Sequence, residues 1–162
     1  MKLNLPILDH LKDCQTVLIA GAGGGFDIFA GLPLYFTLKD AGKTVHLANY
    51  SFMDLALADA LDEVQVLEKT LVIGTQGKVR FDIGYYPEGH LAQWFQEAHN
   101  EDVTVWLLAR SGVKALNSAY TLLLEHIGGV DAIVLVDGGV DSLMRGDEIG
   151  AGTLLEDTIS LG

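Results

Sequence analysis

Asp131–Glu148, DAIVLVDGGVDSLMRGDE, passes from an apolar run into a Gly-Gly turn and then into acids interrupted by one arginine. The run itself, Ala132–Val136, is short and unbroken, which reads as a strand with both faces covered. Thr16–Asp27, TVLIAGAGGGFD, follows the same plan near the start of the chain, where Thr16–Ala20 is ended by glycines. Two such transitions predict an α/β domain with glycine-rich loops carrying polar groups at the ends of buried strands.

The segments between them extend the pattern. Phe26–Asp40 is apolar almost all round and reads as a buried helix. Pro33 inside it removes a backbone donor, so a kink or a late helix start is expected there. Ala41-Gly42-Lys43 closes this unit and Thr44–Asn49 is the next strand, giving a β-loop-α-β unit with parallel strands and a right-handed crossover. Residues 1–15 form an amphipathic lead-in in which Ile7, Leu8 and Leu11 follow Pro6 at helical spacing. Ser51–Leu61 reads as a short helix with Ser51 as its N-cap, Val64–Ile73 as β-like, and Gly74–Gly77 as a turn.

Pro87–Asn100 is a cleaner helix, with Leu91, Trp94, Phe95 and Ala98 on one face. Val103–Ala109 is a further strand. A helix then runs from Ser111-Gly112 through Ile127, with Val113, Leu116, Tyr120 and Ile127 inward and Gly128-Gly129 closing it. Thr153-Leu154-Leu155-Glu156 matches a capping box with little helix after it. That predicts a single α/β domain over residues 1–162, truncated at its C-terminus or completed by a partner. The expected fold is Rossmann-like: a doubly wound, mostly parallel sheet with helices on both faces. Such sheets bind ligands beyond the carboxyl ends of their strands, near the switch point.

Composition narrows the function classes. Hydrophobic residues make up 49% of the chain and the mean hydropathy is +0.31, as buried strands require. A formal net charge of -12 argues against nucleic acid as a partner, since phosphate binders cluster Lys and Arg. It leaves room for a local positive pocket around Arg145, Arg110 or Lys114. The single cysteine, Cys14, excludes an internal disulfide and a multi-cysteine metal site, and a reducing cytoplasm is the simplest setting. No apolar run approaches the ~18 residues of a spanning helix. The acids of the N-terminus interrupt any secretory signal. The expectation is a soluble cytoplasmic protein with no membrane partner.

The first glycine loop, GAGGGFD, would let Gly21, Gly23, Gly24 and Gly25 bring the backbone close to an anion or sugar. It is not a dinucleotide fingerprint, because Phe26 stands where the third glycine belongs and Asn49-Tyr50-Ser51 where an acid is expected. No Gly-Lys-Ser/Thr follows, so it is not a Walker loop. The alternative is a tight strand-to-helix turn without a ligand. Asp27 suits the helix dipole, and serves equally as a cap or as a catalytic group.

The second loop is richer. Asp137, Asp141, Asp147 and Glu148 are four acids within twelve residues, interrupted by Gly138, Gly139 and Gly146. Loop carboxylates around glycine turns suit Mg²⁺, with substrate phosphate completing the shell. Asp137 and Asp141 are the metal or acid–base candidates, and Arg145 would clamp a phosphate or carboxylate bidentately. Alternatively Arg145 pairs with Asp141 or Asp147 and the acids cap turns. Ser111 would bind an anion through its hydroxyl and the following amides, or serve as a helix N-cap. The histidines are scattered, and without Gly-x-Ser-x-Gly or a Cys–His pair acyl transfer is not expected.

GAGGGFDIFAGLPLY (Gly21–Tyr35) and VDGGVDSLMRGDEIGAGTLLED (Val136–Asp157) resemble the family catalogued as domain of unknown function 1152. The resemblance spans nearly the whole chain and implies an N-terminal portion of such a protein. It implies the fold and the importance of both loops, and brings no activity with it. The expectation is therefore an enzyme acting on a small anionic metabolite, a phosphorylated sugar or nucleotide, with Mg²⁺ as the cofactor its acids admit. Its rivals are a non-catalytic ligand-binding or regulatory module and a homo-oligomerising scaffold.

Overall fold

In the first strand, β1 (Thr16–Gly21), every residue after Thr16 is buried. Val17 and Ile19 pack with Ile28, Tyr35, Leu38, Leu91 and Phe95, whereas Leu18 and Ala20 pack with Leu116, Ala119 and Leu123. Successive side chains of a strand point to opposite faces, so these two clusters lie on opposite sides of the sheet. The first is built by α2 (Asp27–Ala30), α3 (Leu32–Asp40) and α4 (Pro87–His99), the second by α5 (Val113–Ile127). The computed structural model describes residues 6–55, 64–77, 84–139 and 154–161.

β1 is flanked by β2 (Thr44–Ser51) and β6 (Ala132–Val136), both parallel to it, and β5 (Val105–Ala109) runs parallel to β2. Beyond β5 come β4 (Val72–Thr75) and β3 (Val64–Glu68), each antiparallel to its neighbour, giving the order β3-β4-β5-β2-β1-β6. The sheet is therefore mixed: parallel through its centre, with a hairpin at one edge. Only Lys69-Thr70-Leu71 separate β3 from β4, far too few residues for the crossover a parallel pair needs.

Other expectations shift in detail. β6 is an edge strand, and although Val134 and Val136 pack inward, Ile133 and Leu135 remain 42% and 38% exposed. Its continuous apolar run thus does not mean burial on both faces. Phe26–Asp40 is two helices that meet at Gly31, with Pro33 in the first turn of α3, where its missing donor is harmless. A Cβ at Gly31 would lie 2.6 Å from Ile19 Cγ2, so the break lets the chain press onto β1.

Ser51 ends β2 and its hydroxyl accepts from the Met53 amide, rather than capping a helix. The buried stripe of α4 is Glu88, Leu91, Ala92 and Phe95, while Trp94 and Ala98 are exposed. In α5 the inward face is Leu116, Ala119 and Leu123, and Val113 faces out. Gly128 closes that helix with φ 82°, a left-handed conformation suited to glycine. α1 (Pro6–Leu11) and α6 (Leu154–Leu161) complete the chain, and Thr153, the expected cap of α6, lies outside the described residues. No described helix is long and apolar enough to cross a membrane.

Candidate functional site

Two loops leave the carboxyl ends of neighbouring strands. The Ala22 amide donates to Val136 O at 2.9 Å, carrying the β1–β6 pairing one residue past the strand. The chain then turns through Gly24 and Gly25, both left-handed with φ 92° and 60°. This delivers Asp27 to the other loop, where its Oδ1 accepts the Gly138 amide at 3.1 Å. Asp137 in turn accepts the Gly139 amide at 2.7 Å, fixing the Gly-Gly turn. Asp27, Asp137, Gly138 and Gly139, chosen from separate ends of the sequence, thus stand together.

α6 lies over the same place. Ser160 donates its hydroxyl to Ala22 O at 2.5 Å. Where a Cβ on Gly23 would stand, Asp157 Oδ1 is 2.1 Å away and Asp27 Oδ2 is 2.7 Å away. Two carboxylates therefore converge above the loop, and only glycine leaves them room. Ala22, Val136, Asp137 and Asp157 border a cavity of about 200 Å³ here. A larger one, about 610 Å³, opens near Val45, His46 and Thr104 at the amino ends of the strands, away from both loops.

The other glycines serve the chain's own packing. A Cβ on Gly21 would sit 2.0 Å from Asn49 Oδ1, and one on Gly24 would meet Phe52 Cζ at 2.7 Å and Tyr50 O at 2.9 Å. A side chain on Gly25 would meet the Tyr85 hydroxyl at 2.6 Å. Much of the excess of glycine is explained by this close approach of side chains from below and beside the loop.

Beneath the loop lies a buried polar floor. Asn49 donates to Gly25 O at 2.9 Å and to Glu88 Oε1 at 2.8 Å, two acceptors that fix the orientation of its amide. Glu88 is fully buried in the first turn of α4. Burial pushes its carboxyl above the usual carboxylate range, against the hydrogen bonds from Asn49, its own amide and Ser51. Sequence reasoning noted Asn49 only as a missing acid and did not find Glu88. Its signal was the 88/91/92/95 spacing, which puts an acid on the apolar stripe of a helix.

Ser111 stands apart from the two loops. Its amide donates to the Tyr50 hydroxyl and its carbonyl accepts from it, both at 2.8 Å. Gly112, not Ser111, is the N-cap of α5. Asp141, Arg145, Asp147 and Glu148 lie outside the described residues. Among the described residues no three His, Cys, Asp or Glu side chains are grouped to hold a metal ion. Of the pair assigned to Mg²⁺, only Asp137 is described. Asp157 and Ser160 of α6 escaped the sequence reading, which took Glu156 only as part of a capping box, because a helix of that length gives no sign of where it docks.

In comparisons with known protein families, curated proteins and solved structures, the chain matches none of them significantly.

Proposed function

We propose that this chain is a cytoplasmic enzyme of Rossmann-like, doubly wound architecture. It acts on a small anionic metabolite, a phosphorylated sugar or nucleotide, in the crevice between the carboxyl ends of β1 and β6. The observation that carries the proposal is the Asp27–Gly138 hydrogen bond, which joins the two glycine loops at one spot. The strand order supports it. The step from β1 to β2 runs over one face through α2 and α3, and the step from β5 to β6 over the other through α5. Those paths part between β1 and β6, where α/β sheets of this kind hold their ligands.

Asp27, Asp137 and Asp157 give this crevice a negative field, which repels a bare anion. A bound divalent cation reconciles the two, with carboxylates on one side and substrate phosphate on the other. In this scheme Asp137 and Asp141 hold Mg²⁺ or act as acid and base, and Arg145 clamps the substrate. Gly21, Gly23, Gly24 and Gly25 shape the approach, while Asp147 and Glu148 supply further oxygen ligands. Kinship with the domain of unknown function 1152 family, as its N-terminal portion, belongs to the same proposal.

The test is prolonged incubation of the purified chain with sugar phosphates and nucleotides in Mg²⁺, followed by mass spectrometry. Conversion of one substrate by the wild type, absent in Asp137→Asn, is the expected result. A metabolite that binds and is recovered chemically intact would instead make the chain a non-catalytic binding or regulatory module.

A further inference from the structure

Arg110 follows β5 directly, in a chain with 22 acids against 10 Lys and Arg residues. Its guanidinium is held on two sides. One nitrogen lies 2.7 Å from Glu156 Oε1, whose side chain is only 9% exposed, and the Phe52 ring lies 5.5 Å from Cζ. A guanidinium has five N–H donors, and one ion pair leaves most of them for another acceptor. Fixing so long a side chain costs rotamer entropy, and an aimed guanidinium is what bidentate anion recognition needs.

The arginine lines a cavity of about 430 Å³ over the carboxyl ends of β2 and β5. Lys69 and Thr70 reach it from the β3–β4 turn, and Asp54 is the one acid among the described residues of its wall. With Glu156 pairing Arg110, the pocket brings two cations to two carboxylates among the described residues, a balanced patch in a molecule of net charge -12. It is also next to the glycine loop, because Phe52, part of its wall, is the ring that forbids a side chain on Gly24. Its volume falls within the range of small-molecule sites.

We propose that this cavity is the anion subsite of the ligand face, in which Arg110, aimed by Glu156 and Phe52, receives the phosphate or carboxylate of a small metabolite. Lys69 adds charge at its rim. The assignment rests on the ligand face proposed above and refines it: a phosphate or carboxylate not held through the crevice cation sits beside Arg110, and the metal-bound end faces Asp27 and Asp137. Carboxylates around Gly23 disfavour the opposite orientation, since like charges repel.

Calorimetric titration of the full chain with inorganic phosphate and with ribose 5-phosphate tests this. Saturable binding is expected in the wild type, weakened about tenfold or more in Arg110→Gln, as for the loss of a charge-assisted hydrogen bond. Lys69→Gln should weaken it less, and Lys12→Gln, at an exposed cation that precedes the start of β1, should leave phosphate affinity unchanged. If Arg110→Gln fails to fold, the double variant Arg110→Gln/Glu156→Gln removes the cation without leaving a buried carboxylate unpaired, and must show the same loss. Absence of saturable binding to the folded wild type overturns the proposal. So does binding that survives both Arg110 variants; if it is lost in Asp137→Asn instead, the anion belongs in the β1–β6 crevice. Binding that depends on Arg110, with no ligand sensitive to Asp27 or Asp137, would sink the crevice and leave this subsite standing.

Discussion

Asn49 Nδ2 stands 2.8 Å from Glu88 Oε1 and, through the same amide group, 2.9 Å from the carbonyl of Gly25. One side chain at the end of β2 therefore ties the glycine loop to the first turn of α4. The link is fully buried, so it has no competing water and depends on the state of Glu88. The loop is shaped from beneath by a titratable group that no ligand need touch.

A pH dependence follows from that burial. The folded chain keeps the Glu88 proton above the ordinary carboxyl value of 4.5, where the unfolded chain has already released it. The folded state then binds more protons, so stability falls as pH rises from that value toward the raised one. Glu88→Gln keeps the acceptor for Asn49 and removes the titration. Its melting temperature should exceed the wild type's at pH 7, with the difference shrinking near pH 4. A wild type more stable than Glu88→Gln at pH 7, with that advantage shrinking near pH 4, would mean that Glu88 is ionised and satisfied in the fold.

Gly21 is predicted to be a packing glycine. Gly21→Ala drives a methyl group into Asn49 Oδ1 and should cost about 1–3 kcal/mol of stability in denaturant unfolding, as overpacked sites do. In an Asn49→Ala background the same change should cost clearly less, because the two residues share one space. Additive losses would place the constraint elsewhere.

Asp131 opens β6 by accepting the amides of Gln15 at 2.7 Å and Thr16 at 2.9 Å, which bind the start of β1 to the start of β6. Those bonds hold its carboxyl below the ordinary value of 3.8. A depressed folded value means stability that is present above the ordinary range and lost as pH falls through the folded one. Asp131→Asn should therefore lower the melting temperature at pH 7, with the gap closing on strong acidification. A gap that persists at the lowest pH would assign the loss to something other than the charge.

Much of this was legible locally. An apolar run stopped by glycine is a signal contained in a few residues, and both β1 and β6 with their loops follow from it. Pro33 marked the boundary that appears at Gly31. What escaped was relational. That Asp27 would meet Gly138 depends on strand order, which joins residues 111 apart in sequence. The α4 face was misplaced because Trp94 and Glu88 compete for the same helical stripe, and hydropathy favours the tryptophan. In the structure Trp94 packs at the rim against Phe36 and His99, while Asn49 gives Glu88 a partner inside. The glycines were read toward a ligand because the neighbours that crowd them, Asn49, Phe52 and Asp157, come from other parts of the chain.

The crevice between β1 and β6 is tested most directly by melting the wild type and Asp137→Asn with nucleotides and sugar phosphates, each with and without Mg²⁺. A true ligand at a hundred times its dissociation constant adds ~2.7 kcal/mol of stability. A rise in the wild-type melting temperature that requires Mg²⁺ and disappears in Asp137→Asn is the predicted result. A ligand whose shift is the same in both proteins, with or without the metal, would contradict a metal-assisted site at the two glycine loops.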